Sequence, residues 1–164
     1  MNHRIAPAPI IRSPAQAAQR WFFGGGEHRW LATAEETGGA YLLFSDVMEQ
    51  GKCTPLHTHP ADETLYLIDG LLRVHMAGAE HQLAAGGLMM APRDVPHAFL
   101  VLSETATMLT LHTPGTCQAF YIGASEPLTS QTRRVVDFDR VRESAAAHGG
   151  IEIIGPPPFS QAPA

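Results

Sequence analysis

The stretch GKCTPLHTHPADETLYLIDG, residues 51–70, decides how this chain is read. It carries two histidines two residues apart, a glutamate four residues after the second, and a glycine at each end. Side chains two apart on a β-strand share a face, so His57 and His59 present two imidazoles to one interior. Pro60, Ala61 and Asp62 break or turn that strand, because proline has no N–H to give to a ladder. The alternation in ETLYLI predicts a second strand, opened by Glu63, whose carboxylate can turn back toward the imidazoles. Two nitrogens and an oxygen this close suit a borderline divalent metal. Such a histidine pair alone more often lies on a surface strand or in a loop. The fourth candidate, His97 in GGLMMAPRDVPHAFLV (residues 86–101), gives the metal reading its weight.

Around this stretch the chain has 164 residues, enough for one domain with a single core. A 45% hydrophobic and 16% charged composition is that of a globular protein. The net charge of −5 gives no basic footprint, so no nucleic-acid partner is expected. No apolar run approaches the ~20 residues needed to span a bilayer, so no membrane association is expected either. The first twenty residues carry prolines where a signal peptide would have its continuous apolar region, which makes the cytoplasm the expected compartment. Cys53 and Cys117 read as two free thiols there, although the sequence leaves a disulfide open.

Residues 1–18 are rich in proline and alanine and read as an arm. Strands are predicted over 19–23, 29–33, 41–49, 71–76, 80–83, 88–91, 97–102, 107–112 and 118–122, beside those of the opening stretch. Asp69-Gly70 is a two-residue hairpin signal, and Ala77-Gly78-Ala79 turns a second hairpin. Roughly ten short strands over 19–123, punctuated by glycine or proline, indicate an all-β antiparallel sandwich or barrel. Residues 124–164 form a C-terminal extension. In it Asp137 is a good N-cap for a short helix over 138–148, ended by Gly149-Gly150, and 151–154 is extended.

The two stretches together resemble the cupin superfamily. The first has Gly51, five residues, His57-Thr58-His59, three residues, Glu63, six residues and Gly70. The second, fifteen residues on, has Gly86, five residues, Pro92 and then His97. Asp94 stands where the pattern has a glycine, and Val101 where it often has an asparagine; neither position is a ligand. The resemblance implies a double-stranded β-helix, or jelly roll, with one divalent transition metal held by His57, His59, Glu63 and His97. Histidine and carboxylate ligands leave the metal open among Fe, Ni, Co, Mn, Zn and Cu. A homodimer is also implied. The runs LATAEETGGAYLLF (31–44) and HGGIEIIGPPP (148–158) look like single-domain bacterial cupins similar to quercetin dioxygenase. That likeness implies a dioxygenase that binds a small-molecule substrate and O2, with Glu63 taking the proton of a metal-bound enolic hydroxyl. The alternatives are a non-oxidative isomerase or lyase using the metal as a Lewis acid, and a cupin that binds a small molecule without turnover.

Between residues 52 and 132 the only Lys or Arg residues are Lys52, Arg73 and Arg93. Arg73 falls in a hairpin and Arg93 in a turn, so both are expected outside the barrel, and a hydrophobic aromatic or enolic substrate is favoured over an anionic one. Candidate pocket residues are Tyr41, Phe44, Leu65, Leu67, Met90, Phe99 and His112, with Met89, Met108 and Phe120 also available. Plain core packing is the commoner role for any one of them. His3, His28, His81 and His148 read as solvated, and His75 as facing outward. His112 lies on an apolar strand that can aim it into the barrel as a base behind the metal ligands. Cys53 shares the parity of His57 and can face the same cavity.

Overall fold

A computed structural model of the chain describes residues 7–160. The first six residues of the expected arm, His3 among them, and residues 161–164 lie outside the described part. The strands, in chain order, are β1 (Ala18–Phe22), β2 (Glu27–Ala32), β3 (Leu42–Glu49), β4 (Leu56–Thr58), β5 (Asp62–Asp69), β6 (Leu71–Met76), β7 (Ala79–Ala84), β8 (Leu88–Ala91), β9 (His97–Val101), β10 (Thr105–Thr113), β11 (Ser125–Pro127) and β12 (Glu152–Gly155). They form a seven-stranded sheet, β11-β1-β2-β3-β10-β5-β8, and a five-stranded sheet, β12-β4-β9-β6-β7. All pairings between the strands are antiparallel. Two helices, α1 (Gln118–Gly123) and α2 (Phe138–His148), follow the main run of strands. This is the expected double-stranded β-helix with a short C-terminal helix.

Period-two burial drives the closure. On β3, Leu42, Phe44, Asp46 and Met48 point inward, and on β10 Ala106, Met108, Thr110 and His112 do so. The apolar inward residues separate into two clusters. One, under the C-terminal segment, contains Trp21, Phe22, Trp30, Phe44, Phe120 and Val141; the other, at the far end, contains Met48, Leu65, Leu67, Leu72, Met89 and Val101. The polar inward residues lie where the two clusters fail to merge.

Two local expectations are corrected. Asp69-Gly70 does not close a hairpin, because β5 belongs to the seven-stranded sheet and β6 to the five-stranded one. The dipeptide turns the chain, but β5 finds its partners in β10 and β8 instead. Residues 118–122 are helical rather than extended, since a short apolar run cannot by itself tell a buried helix from a strand. The 77–79 turn does join a true hairpin, β6 with β7. In the C-terminal segment, β11 pairs with β1 and β12 with β4, so each sheet gains an edge strand. The Asp137 carboxylate caps α2, accepting from Arg140 N at 3.2 Å. In the described part of the arm, the Arg12 guanidinium bridges the Leu31 carbonyl and the Glu36 carboxylate.

Gly70 is where the chain crosses between sheets. Its φ is +100°, and a Cβ there would lie 2.7 Å from both Ser103 Oγ and the Thr105 carbonyl oxygen. Gly70→Ala is therefore expected to destabilise the fold by about 1–3 kcal/mol, read from the shift in the urea unfolding midpoint at unchanged slope.

Candidate metal centre

Three local features bring four side chains together. β4 carries His57, with His59 just beyond its end; the turn after Pro60 returns the chain so that β5 begins next to it with Glu63 inward; and β9 opens with His97, in register opposite His57. Asp94 adopts the left-handed conformation (φ +64°) at the position the motif gives to glycine, and its N–H donates to the His59 carbonyl at 2.8 Å. The candidate donor atoms of His57, His59, Glu63 and His97 all lie within 4.8 Å of one another, and all four residues are buried.

The imidazoles are held from behind. His57 Nδ1 lies 2.7 Å from the Pro55 carbonyl, His59 Nδ1 2.8 Å from that of Gly150, and His97 Nδ1 2.9 Å from that of Val95. A carbonyl can only accept, so each Nδ1 donates and each Nε2 is left for the centre. His59 Nε2 is buried without a hydrogen-bond partner, an orphan that a metal ion would satisfy. Three imidazole nitrogens and a carboxylate oxygen fit a divalent transition metal, and four protein ligands leave room on a five- or six-coordinate ion.

Glu63 sits at the middle of the electrostatics. Its Oε2 lies 2.7 Å from His97 Nε2 and 3.7 Å from His59 Nε2, and its Oε1 3.3 Å from His112 Nε2. Burial pushes the Glu63 carboxyl up, but His59, His97 and His112 more than offset this and hold it well below the usual carboxylate range. Burial lowers His97, yet its bond to Glu63 overrides this and raises it. His57 and His112 are both driven down to about 3, chiefly by burial, and burial also lowers His59. His112 Nε2 is 3.0 Å from the Tyr121 hydroxyl, which burial and the nearby Glu63 keep protonated. Tyr121 and Glu63 thus meet at one nitrogen of His112, behind the four candidate ligands.

Beside them opens a cavity with His57 and Glu63 on its wall. Phe44 and Phe99 line it as expected, as do Met108, Phe120 and Cys53. The expectation fails for Leu65 and Leu67, which point inward but pack in the far core cluster. It fails for Met90, which is 49% exposed because the strand alternation turns Met89 inward instead. Tyr41 is only half-buried and stands apart from the cavity walls. Arg93 is outside, paired with Asp62, and Arg73 lies partly exposed near Glu80. His28 is not solvated: it is buried, stacked 4.9 Å from the Phe22 ring and 4.4 Å from that of Phe44. Its parity with Trp30 on an apolar strand was the available signal. Asp46, Lys52 and Tyr121 also line the cavity and were not singled out from the sequence. Asp46 shares the parity of Leu42 and Phe44, whereas Lys52 and Tyr121 lie outside the strands and leave no periodic trace. Both cysteines are free, and burial pushes Cys117 up to about 12.

Residues 44–113 match the family model for the cupin domain. The chain is 24% identical over 125 residues to quercetin 2,3-dioxygenase of Bacillus subtilis (strain 168), covering 73% of this chain and 37% of that protein. The chain thus spans well under half the length of the curated relative it matches. Among solved structures it is similar to an RmlC-like cupin from Shewanella frigidimarina NCIMB 400, with a TM-score of 0.58 and 17% identity over 65% of this chain and 92% of that one. It is also similar to a conserved protein with a double-stranded β-helix domain from Klebsiella pneumoniae subsp. pneumoniae MGH 78578, with a TM-score of 0.53 and 19% identity over 66% and 92% of the two chains. These likenesses show the fold.

Two outcomes are expected. His97→Ala should bind less than one equivalent of metal by elemental analysis after dialysis, where the unaltered chain retains one. The metal-free protein should lose stability as the pH falls from about 7 to about 5. The folded pKa values of His57 and His112 lie below the ordinary 6.5, so their contribution is full above that value and is lost as the pH drops toward the folded pKa. His97, raised, opposes this but is outnumbered. Chemical unfolding midpoints across the range check the sign.

Proposed function

We propose that this chain, which belongs to the cupin superfamily, is a metal-dependent dioxygenase acting on a hydrophobic aromatic or enolic small molecule. The observation that carries the reading is the convergence of the His57, His59, Glu63 and His97 donor atoms within 4.8 Å of one another, with His57 and Glu63 on the wall of an aromatic-lined cavity. The likeness to quercetin 2,3-dioxygenase supports it. A divalent transition metal held there supplies Lewis-acid polarisation of a substrate oxygen and, if redox-active, access to dioxygen chemistry.

The chain's own residues do the rest. The rings of Phe44, Phe99 and Phe120 hold a flat substrate and exclude water. Glu63, ionised by its histidine neighbours, accepts the proton of the substrate's enolic hydroxyl. His112, neutral, holds its Nε2 3.3 Å from Glu63 Oε1, where it can take that proton, and the Tyr121 hydroxyl meets the same nitrogen at 3.0 Å.

A second reading has its own support. The Glu63 carboxylate, with His112 Nε2 3.3 Å away, can take up and return a substrate proton without any need for oxygen, which suits an isomerase or lyase using the same metal.

Oxygen-electrode assays of the metal-reconstituted protein with flavonols and other enediols separate the readings. Oxygen uptake matched to substrate loss is expected; turnover under anaerobic conditions would replace the first reading with the second, and binding without turnover would remove both. Glu63→Gln should lower kcat by about 10²–10⁴-fold, with metal still held by the three histidines.

A further inference from the structure

Lys52 is the only Lys or Arg among the described residues that line the cavity. Its side chain is 6% exposed, and its Nζ donates to Asp46 Oδ2 at 3.3 Å. The ammonium has three donors and spends one of them on a side chain. The rings of Phe22 and Phe99 flank it at 5.0 and 5.8 Å. Asp46 is equally buried, and its Oδ1 has no hydrogen-bond partner; neither has Nδ1 of the adjacent His28. Gly26 closes over the group, and a Cβ there would overlap Asp46 Oδ1 and lie 3.1 Å from Lys52 Nζ.

A buried ion pair is a poor source of stability, since apolar residues of the same volume usually do as well. A pair kept only for structure would also be expected to saturate its hydrogen bonds, and this one leaves donors and an acceptor unused. It lies well away from the metal ligands. Asp46 is in register with Met108, four residues along β10 from His112, which is in register with Glu63. At about 3.3 Å per residue the two ends are roughly 13 Å apart along the backbone, and both Lys52/Asp46 and His57/Glu63 line the one cavity.

The charge of this end decides what it takes. Lys52 is positive, burial and the neighbouring Lys52 and Arg20 keep His28 neutral, and Lys52 and His28 hold Asp46 ionised against its burial, so the end sums to zero. A carboxylate entering here would meet the Asp46 carboxylate. A hydroxyl would not: its oxygen accepts from Lys52 while its proton goes to Asp46. We propose that Lys52 and Asp46 form a specificity subsite for a hydroxyl group on the end of the substrate remote from the metal. The preferred ligand is then a hydroxylated aromatic enediol rather than an aromatic acid. This rests on the reading of the four-ligand centre as the anchor for the enediol oxygens.

The test uses the full chain loaded with redox-inert zinc and three catechols of one shape: 4-ethylcatechol, 4-(2-hydroxyethyl)catechol and 3,4-dihydroxyphenylacetate. Calorimetric Kd values are compared for the unaltered protein, for Lys52→Met, and for Lys52→Met with Asp46→Asn, which leaves no buried charge unpaired. The hydroxyethyl compound is expected to bind about tenfold or more tightly than the other two. Both variants should erase that preference while the zinc stoichiometry and the affinity for 4-ethylcatechol hold. Equal binding of all three by the unaltered protein, tightest binding of the acid, or a preference that survives in the double variant would overturn the subsite alone. Failure of every catechol to bind the zinc-loaded protein would overturn the anchor and the subsite together.

Discussion

The structure depends on a requirement that cannot be met piecemeal: polar groups shut inside an apolar barrel must satisfy one another. His57, His59, His97, His112 and Glu63 are all buried. An unpartnered carboxylate in such a place would cost several kcal/mol. Here it is surrounded by imidazoles, and three of those are fixed from behind by backbone carbonyls of Pro55, Gly150 and Val95. The carbonyls set the tautomers, the tautomers set which nitrogens face the centre, and the set of nitrogens decides what ion the site can take. The two apolar clusters on either side supply the walls rather than the specificity.

What was legible in the chain follows from how each residue announces itself. His57, His59, Glu63 and His97 occupy fixed offsets in two short motifs, so they could be assigned together without knowing any strand pairing. The barrel was legible because turn residues recur between alternating strands. Asp69-Gly70 shows the limit: the dipeptide specifies a local reversal, while the pairing of the flanking strands depends on residues about 20 to 50 positions away. Met90 and Met89 differ in exposure because one residue of register exchanges inside for outside, and the sequence MM has no polar neighbour to fix it.

Asp46, Lys52 and His28 were harder to read for a different reason, although strand parity gave a signal for the first and the last. Each looks, alone, like an ordinary surface residue of a half-buried strand or its flanking turn. Only the closure of the sheets, which sets β2 and β3 side by side and lays the turn at Lys52 across them, turns these three side chains into one buried group. Charged residues placed inward on strands are where reasoning from hydrophobic pattern is expected to break down, and such breaks concentrate at functional sites.

One contact reaches beyond the centre itself. The carbonyl that steadies His59 belongs to Gly150, on the segment between α2 and β12, 91 residues away in sequence. An ion bound at the four residues would therefore share a free energy with the seating of the last strand, and by reciprocity each would strengthen the other. A cell starved of the ion would hold a population whose tail peels away more often, open to proteases at residues that never touch the metal.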